Sequence, residues 1–260
     1  MTVAQRWPAA RSEATDRHPA ILHVSQPGSE GVGNYVARVA ELQSEAGHRV
    51  VVACPDGTEL AGRLRRSGVD VRPWSASRHP DHGLVREITR LLDVIGAADP
   101  DVVHLHSSKA GLVGRLALRR RRPTVFQPHA WSFEARQPPL AGLAAGWERL
   151  AGPLADVVVA VSEDELSTGR ALGIRARAGM LTTPNPVDTD RFTPVPSRPA
   201  ETDQVRRSLG LVDAPLAVCV GRLCRQKGQD RLVDLWPSVL DQRPDATLLL
   251  VGDGPDRDRL

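Results

Sequence analysis

The 260 residues hold 34 Lys and Arg against 31 Asp and Glu, a formal charge of +3, and 41% are hydrophobic and 25% charged. Such a balance suits one large or two ordinary globular domains and argues against a dedicated nucleic-acid binder. Three cysteines, Cys54, Cys219 and Cys224, form no CxxC pair and are odd in number, so neither a disulfide framework nor a zinc site is indicated, and a reducing cytoplasm is the expected setting.

Residues 1–19 are polar and of mixed charge, without the apolar core of a secretion signal, and read as a disordered lead-in. No stretch is apolar for the length of a membrane span. From there short apolar runs alternate with helical patterns. Strands are expected at Ala20–Ser25, Arg49–Cys54, Val69–Val71, Asp101–His106, Thr124–Gln127 and Asp156–Ser162. Helices are expected between them at Gly31–Gly47, Leu60–Ser67, Leu84–Ile95, Gly111–Leu118 and Leu140–Ala151. Ser162 with Glu165 three residues on reads as a capping box opening a further helix. Val-rich strands separated by helices are covered on both faces, which means a doubly wound parallel sheet with its loops along one edge.

The pattern breaks at Phe192–Asp203, where Pro, Ser and charge mark a linker. A second α/β series follows: a short helix at Val205–Leu209, a strand at Leu216–Val220, a helix at Asp230–Leu240 and a strand at Ala246–Val251. The expected division is thus a first domain over 20–193, a linker over 194–204 and the start of a second domain over 205–260. With two clear strands the second series buries little core by itself and is expected to be incomplete.

Four stretches carry chemistry. Pro27–Asn34 follows a strand and opens a helix, where Gly28, Gly31 and Gly33 would let backbone amides approach a phosphate at the helix N-terminus; a tight βα turn is the plain alternative. His104 and His106, two apart on one strand, share a face but lack an evident third ligand, and His129 falls at the carboxyl edge of the sheet, where ligands bind in such folds. Each would otherwise be a satisfied structural histidine. Gly221–Gly228 repeats the strand–loop–helix setting with Arg222 and Lys227, a fork and a point charge suited to a diphosphate, or simply a solvated basic loop. Arg119–Arg122 is a basic run that would suit an anionic lipid or partner, or solvent alone.

As an ordered set these residues resemble the GT4-type, group 1 glycosyltransferases of GT-B architecture. The matching pieces run through Gly28–Gly33, Ala46–Val52, Asp101–His106, His129, Asp156–Ser162, Asn185–Asp188 with Phe192, Val220–Gly228 and Leu250–Pro255. The resemblance covers about Ile21–Leu260 and is sharpest in the last two pieces. It implies two Rossmann-like domains and a hexosyltransferase that moves a sugar from a UDP- or GDP-hexose to an acceptor hydroxyl with retention, without metal or other cofactor.

By the resemblance, Arg222 and Lys227 hold the donor diphosphate and stabilise the departing nucleotide. Gly31 and Gly33, with Gly252 and Gly254, line the donor, and His129 lies beside the reacting sugar, with Asn34 and His106 toward the acceptor. Glu30 stands where the family more often has Gly. The family's second-domain E-x7-E element would lie beyond Leu260, so this chain is expected to bind donor poorly and to have little activity. The acceptor is expected to be a carbohydrate, a small molecule or a lipid-linked sugar. Trp147 in the Leu140–Leu154 stretch, beside the arginines, suits peripheral contact at the inner face of the membrane. Two other readings stay open: a non-catalytic binding module, and a sugar-nucleotide 2-epimerase of the same architecture.

Overall fold

The protein is described by a computed structural model over residues 18–77, 83–134, 138–190, 192–194, 199–211 and 215–260. Nearly all of the expected lead-in therefore lies outside the described residues. The chain divides into two compact units, Met1–Pro186 and Val187–Leu260.

The first unit alternates β1 (Ala20–Ser25), α1 (Glu30–Glu45), β2 (Arg49–Cys54), α2 (Glu59–Arg66), β3 (Asp70–Pro73), α3 (Leu84–Ala98) and β4 (Val102–His106). It continues with α4 (Ser107–Leu118), β5 (Thr124–Gln127), α5 (Leu140–Ala151), β6 (Val157–Ala160), α6 (Glu163–Ala171) and β7 (Gly179–Thr182). The strands form one seven-stranded sheet in the order β3-β2-β1-β4-β5-β6-β7. Every pairing is parallel. The order reverses between β1 and β4, and the crevice at such a reversal is where open α/β sheets bind ligands.

Side chains alternate across each strand, so the sheet feeds two cores. Val50, Val52 and Cys54 pack with Tyr35, Val36 and Ala40 of α1 and Leu60 and Leu64 of α2. Leu22, Val24, Val103, Leu105, Phe126 and Val158 pack on the other face with Leu91, Val113 and Trp131. The aspartates that lead two strand motifs have a structural task. Asp101 Oδ2 accepts from Ala20 N at 2.7 Å, and Asp156 Oδ2 accepts from Thr124 N at 2.9 Å, so each carboxylate satisfies the amide that opens a neighbouring strand.

Two elements of this unit depart from the sequence pattern. Strand β7 was not expected; it has four residues, opens on Gly179 and gives too short an apolar run to register, yet it completes the sheet beside β6. Helix α4 starts at Ser107 and not at Gly111, because Ser107 adopts φ 70° and turns strand into helix with no intervening loop.

The second unit holds α7 (Pro199–Ser208), β8 (Leu216–Val220), α8 (Gln229–Leu240) and β9 (Thr247–Val251), with β8 and β9 paired in parallel. Helix α7 begins inside the stretch read as linker. Proline is well placed in a first helical turn, where its missing N–H costs nothing, and Glu201 near the start and Arg206 and Arg207 near the end suit the helix dipole. Leu223 is the one buried apolar side chain among the described residues of this unit, and Val220 is 76% exposed.

Candidate active site

The backbone of the first unit is strained at the carboxyl edge of its central strands. Glu30 (φ 57°) follows β1, Ser107 (φ 70°) follows β4, and His129 (φ 54°) and Ala130 (φ 97°) follow β5. Left-handed backbone is unfavourable for residues with a Cβ, and it persists where surrounding structure holds it, typically at ligand sites. Glu30 takes a conformation that glycine adopts at no steric cost, in keeping with the glycine that the resemblance puts at that place.

A chain of imidazoles leads from this edge into the sheet. His129 Nε2 lies 3.1 Å from His106 Nδ1, His106 Nε2 lies 2.9 Å from His23 Nδ1, and His23 Nε2 lies 2.7 Å from Gln43 Oε1 on α1. His23 is the register partner of His104, and Ser25 of His106, so three rings gather at the β1–β4 junction. With the Gln43 carbonyl accepting, one set of neutral tautomers serves all three bonds: His23 donates to Gln43, His106 to His23 and His129 to His106. His129 Nδ1 is then left with a lone pair, an acceptor for a hydroxyl. Tyr35 packs edge-on to His129 with centroids 4.8 Å apart.

Burial keeps these rings neutral. Desolvation lowers His129 to about 4. It lowers His23 to about 4 as well, against the opposing effect of the hydrogen bond that His23 donates to Gln43. His104 and His106 are pushed well below the ordinary histidine value by burial first and by the neighbouring imidazoles second. His129 therefore meets a ligand as a neutral hydrogen-bonding group.

The strained turn is clamped from α6. Glu165 Oε1 accepts from Ala130 N at 2.6 Å and Glu165 Oε2 accepts from Val161 N at 2.6 Å. Ser162 Oγ accepts from Glu165 N at 3.1 Å, so half of the expected capping box forms, while the carboxylate serves the His129 turn. Burial raises the Glu165 carboxyl pKa, and the two backbone amides oppose that shift. Trp131 donates its indole N–H to Glu165 O at 2.8 Å, fixing the same corner from below. Neither His23 nor Glu165 stood out in the sequence: His23 sits singly in an apolar strand, and Glu165 looked occupied by capping.

The residues expected at the site fall in two groups. In the first unit Gly31 and Asn34 are exposed at the N-terminal end of α1, whereas Gly33 is buried. A Cβ on Gly33 would come within 3.1 Å of the Gly28 backbone, so its role is to let α1 pack on its own loop. His106 is fully buried, so it reaches a ligand only through His129. The third partner that the His104–His106 pair lacked in the sequence is His23, and ring nitrogens of the three lie within 4.8 Å of one another. Both nitrogens of His23 and both of His106 are engaged in the hydrogen-bonded chain, so a metal would have to displace those bonds.

In the second unit Arg222 and Lys227 both lie on the loop from β8 to α8, Arg222 half-buried and Lys227 exposed in a 3₁₀ turn. Gly228 (φ 70°) turns that loop into α8. Gly252 and Gly254 act behind the loop: Cβ atoms there would overlap the carbonyls of Gly221 and Leu223. Their absence allows Gly221 N to donate to Val251 O and Leu223 N to Asp253 O, each at 2.9 Å, which zips the β9 turn to the arginine loop.

The family model described as glycosyl transferase 4-like domain matches residues 30–186, and that described as glycosyl transferases group 1 matches residues 201–260. The chain belongs to the GT4-like, group 1 glycosyltransferases. It is 34% identical over 239 residues to a GDP-mannose-dependent alpha-(1-6)-phosphatidylinositol monomannoside mannosyltransferase of Mycolicibacterium smegmatis, covering 88% of this chain and 59% of that protein. It is 33% identical over 250 residues to a GDP-mannose-dependent alpha-mannosyltransferase of Mycobacterium tuberculosis, covering 90% of this chain and 62% of that protein. Among solved structures, Anabaena HepE in complex with UDP and glucose superposes with a TM-score of 0.75 at 21% identity, over 93% of this chain and 63% of that one. The chain thus spans about three fifths of the length of these relatives, and its two glycosyltransferase domains have the GT-B fold. Among the described residues no helix is long and apolar enough to cross a membrane.

Proposed function

We propose that this glycosyltransferase moves a mannosyl group from GDP-mannose to a hydroxyl of a lipid-linked sugar at the cytoplasmic face of a membrane. The donor and acceptor classes rest on the relatives, which are named for GDP-mannose and for a phosphatidylinositol monomannoside. The observation that carries the reading is His129: a neutral imidazole in a strained turn at the β1–β4–β5 edge, with one nitrogen held by His106 and the other left as an acceptor.

In this reading His129 Nδ1 accepts a hydrogen bond from a hydroxyl of the transferring sugar and fixes the ring. Gly31, exposed at the head of α1 with open space around it, lets the donor phosphate approach the helix N-terminus. Arg222 and Lys227 stabilise the charge that develops on the leaving diphosphate, the task a metal serves elsewhere, so the reaction proceeds without one. The acceptor attacks from the face the nucleotide leaves, and the departing phosphate oxygen takes the hydroxyl proton, so the anomeric configuration is retained.

Incubating the protein with GDP-mannose and a mannosyl phosphatidylinositol acceptor, with and without EDTA, tests each part. An α-linked product formed equally in EDTA is expected. A β-linked product overturns retention, loss of activity in EDTA overturns metal independence, and epimerised sugar nucleotide without transfer favours the epimerase reading.

A further inference from the structure

We infer that the first unit holds a binding cavity for one aliphatic chain of the lipid acceptor, between α3, α4 and α5. The inference rests on the lipid-linked acceptor proposed above. The cavity measures about 360 Å³, and its apolar walls come from Leu84, Leu112, Leu140, Leu143, Ala144 and Trp147. That volume is at the lower end of small-molecule pockets, which run from about 300 to 1,000 Å³.

The charged groups at the cavity are already paired, and the Trp147 indole N–H is buried without a hydrogen-bond partner among the described residues, open to a single acceptor such as an ester or glycosidic oxygen near the head of a chain. Lys109 Nζ pairs with Glu87 Oε2 at 2.8 Å, with both side chains buried. Glu148 accepts from Arg115 at 2.7 Å and from Ser132 Oγ at 3.0 Å. A sugar or nucleotide entering here would lose water without gaining these groups, because each ion pair is closed on itself. An alkyl chain loses nothing of that kind and gains by leaving water.

The mouth continues onto an apolar stripe that is largely exposed, apart from Trp147, whose ring faces the Arg115 guanidinium at 5.6 Å. Leu140, Leu143, Trp147 and Leu150 recur at three- and four-residue spacing along α5, so they share one side of the helix. Leu140 is 54% exposed, Leu143 70% and Leu150 79%, while Glu148 and Ala151 are the residues of α5 that face the core. Exposed apolar surface of this size at a cavity mouth marks a contact site. The basic run lies at the far end of the stripe, where Arg120 Nε donates to Pro153 O at 3.2 Å just past α5. Arg119, Arg120 and Arg121 are exposed there and offer positive charge to an anionic lipid surface. Apolar stripe, arginines and cavity together describe a helix lying in a membrane interface with a chain-sized opening beside it.

The test is a titration of the 260-residue chain with dodecyl maltoside below its micelle concentration, read by calorimetry, with maltose as the control. Saturable binding of one alkyl glycoside per chain is expected, with none for maltose. Ala144→Trp, which fills the cavity, and Leu143→Glu, at the exposed mouth, should each weaken binding at least tenfold while circular dichroism and the melting temperature show an intact fold. Absence of saturable binding, or folded variants that bind like the parent, overturns the inference. GDP-mannose is titrated into the same samples. Nucleotide binding without alkyl binding overturns the cavity alone; alkyl binding without nucleotide binding overturns the transferase reading and with it the assignment to an acceptor.

Discussion

Acidification should unfold the first unit through its buried histidines. His23 has its pKa lowered to about 4, against an ordinary 6.5, so it stays neutral in the fold at pH 5 while the unfolded chain is protonated there. A group depressed in this way contributes stability that is fully present above pH 6.5 and is lost as pH falls through the window from 6.5 to 4. At about 1.4 kcal/mol per pH unit, His23 alone costs about 2 kcal/mol by pH 5. His129, lowered to a similar value, adds somewhat less because it is partly exposed. His104 and His106 act in the same direction. Together they remove a large part of the roughly 5–15 kcal/mol that holds a domain. The assay is urea unfolding by far-UV circular dichroism at pH 7.5, 6.0 and 5.0. A midpoint that falls steeply between pH 6.5 and 5, with a shallower fall in His104→Val, is expected. A midpoint independent of pH across that window would refute neutral burial of the cluster.

Three substitutions probe other parts of the same unit. Arg115→Ala leaves Glu148, 1% exposed, without its partner and should cost about 3–5 kcal/mol in thermal unfolding, most of it recovered in an Arg115→Met/Glu148→Leu double variant. Gly111→Ala drives a methyl into the Phe126 ring and should cost about 1–3 kcal/mol, seen as a lower melting temperature. Glu165→Gln keeps its size but trades one of two acceptor oxygens for a donor, releasing Ala130 N or Val161 N; mannosyl transfer should slow by roughly ten- to a hundredfold with little change in donor KM, because His129 is misplaced and not removed.

Most of the sheet was legible because its strands other than β3 and β7 are apolar runs bounded by turn residues, and the loop glycines with Arg222 and Lys227 stood out by composition. Much of the site was not. His23 is 81 residues from His104 in sequence and meets it only through the β1–β4 reversal, which no local pattern reports. Glu165 carries a helix-start signature that matches its backbone amide and hides where its carboxylate goes. Gly33, Gly252 and Gly254 were read for what they offer a donor, and the sequence did not show that the fold also demands of them a close approach of one backbone to another. Helix α7 was expected only from Val205, and its first turns were read as linker because Pro199 reads as a breaker beside the neighbouring prolines.

The most direct test of donor chemistry is calorimetric titration of GDP-mannose, GDP, UDP-glucose and UDP into the chain and into its Arg222→Ala/Lys227→Ala variant. Weak but measurable binding of GDP and GDP-mannose in preference to the uridine nucleotides, lost in the double variant with the fold intact, is expected. Equal binding by the variant, or no binding of any nucleotide, would contradict a donor site built on the loop from β8 to α8.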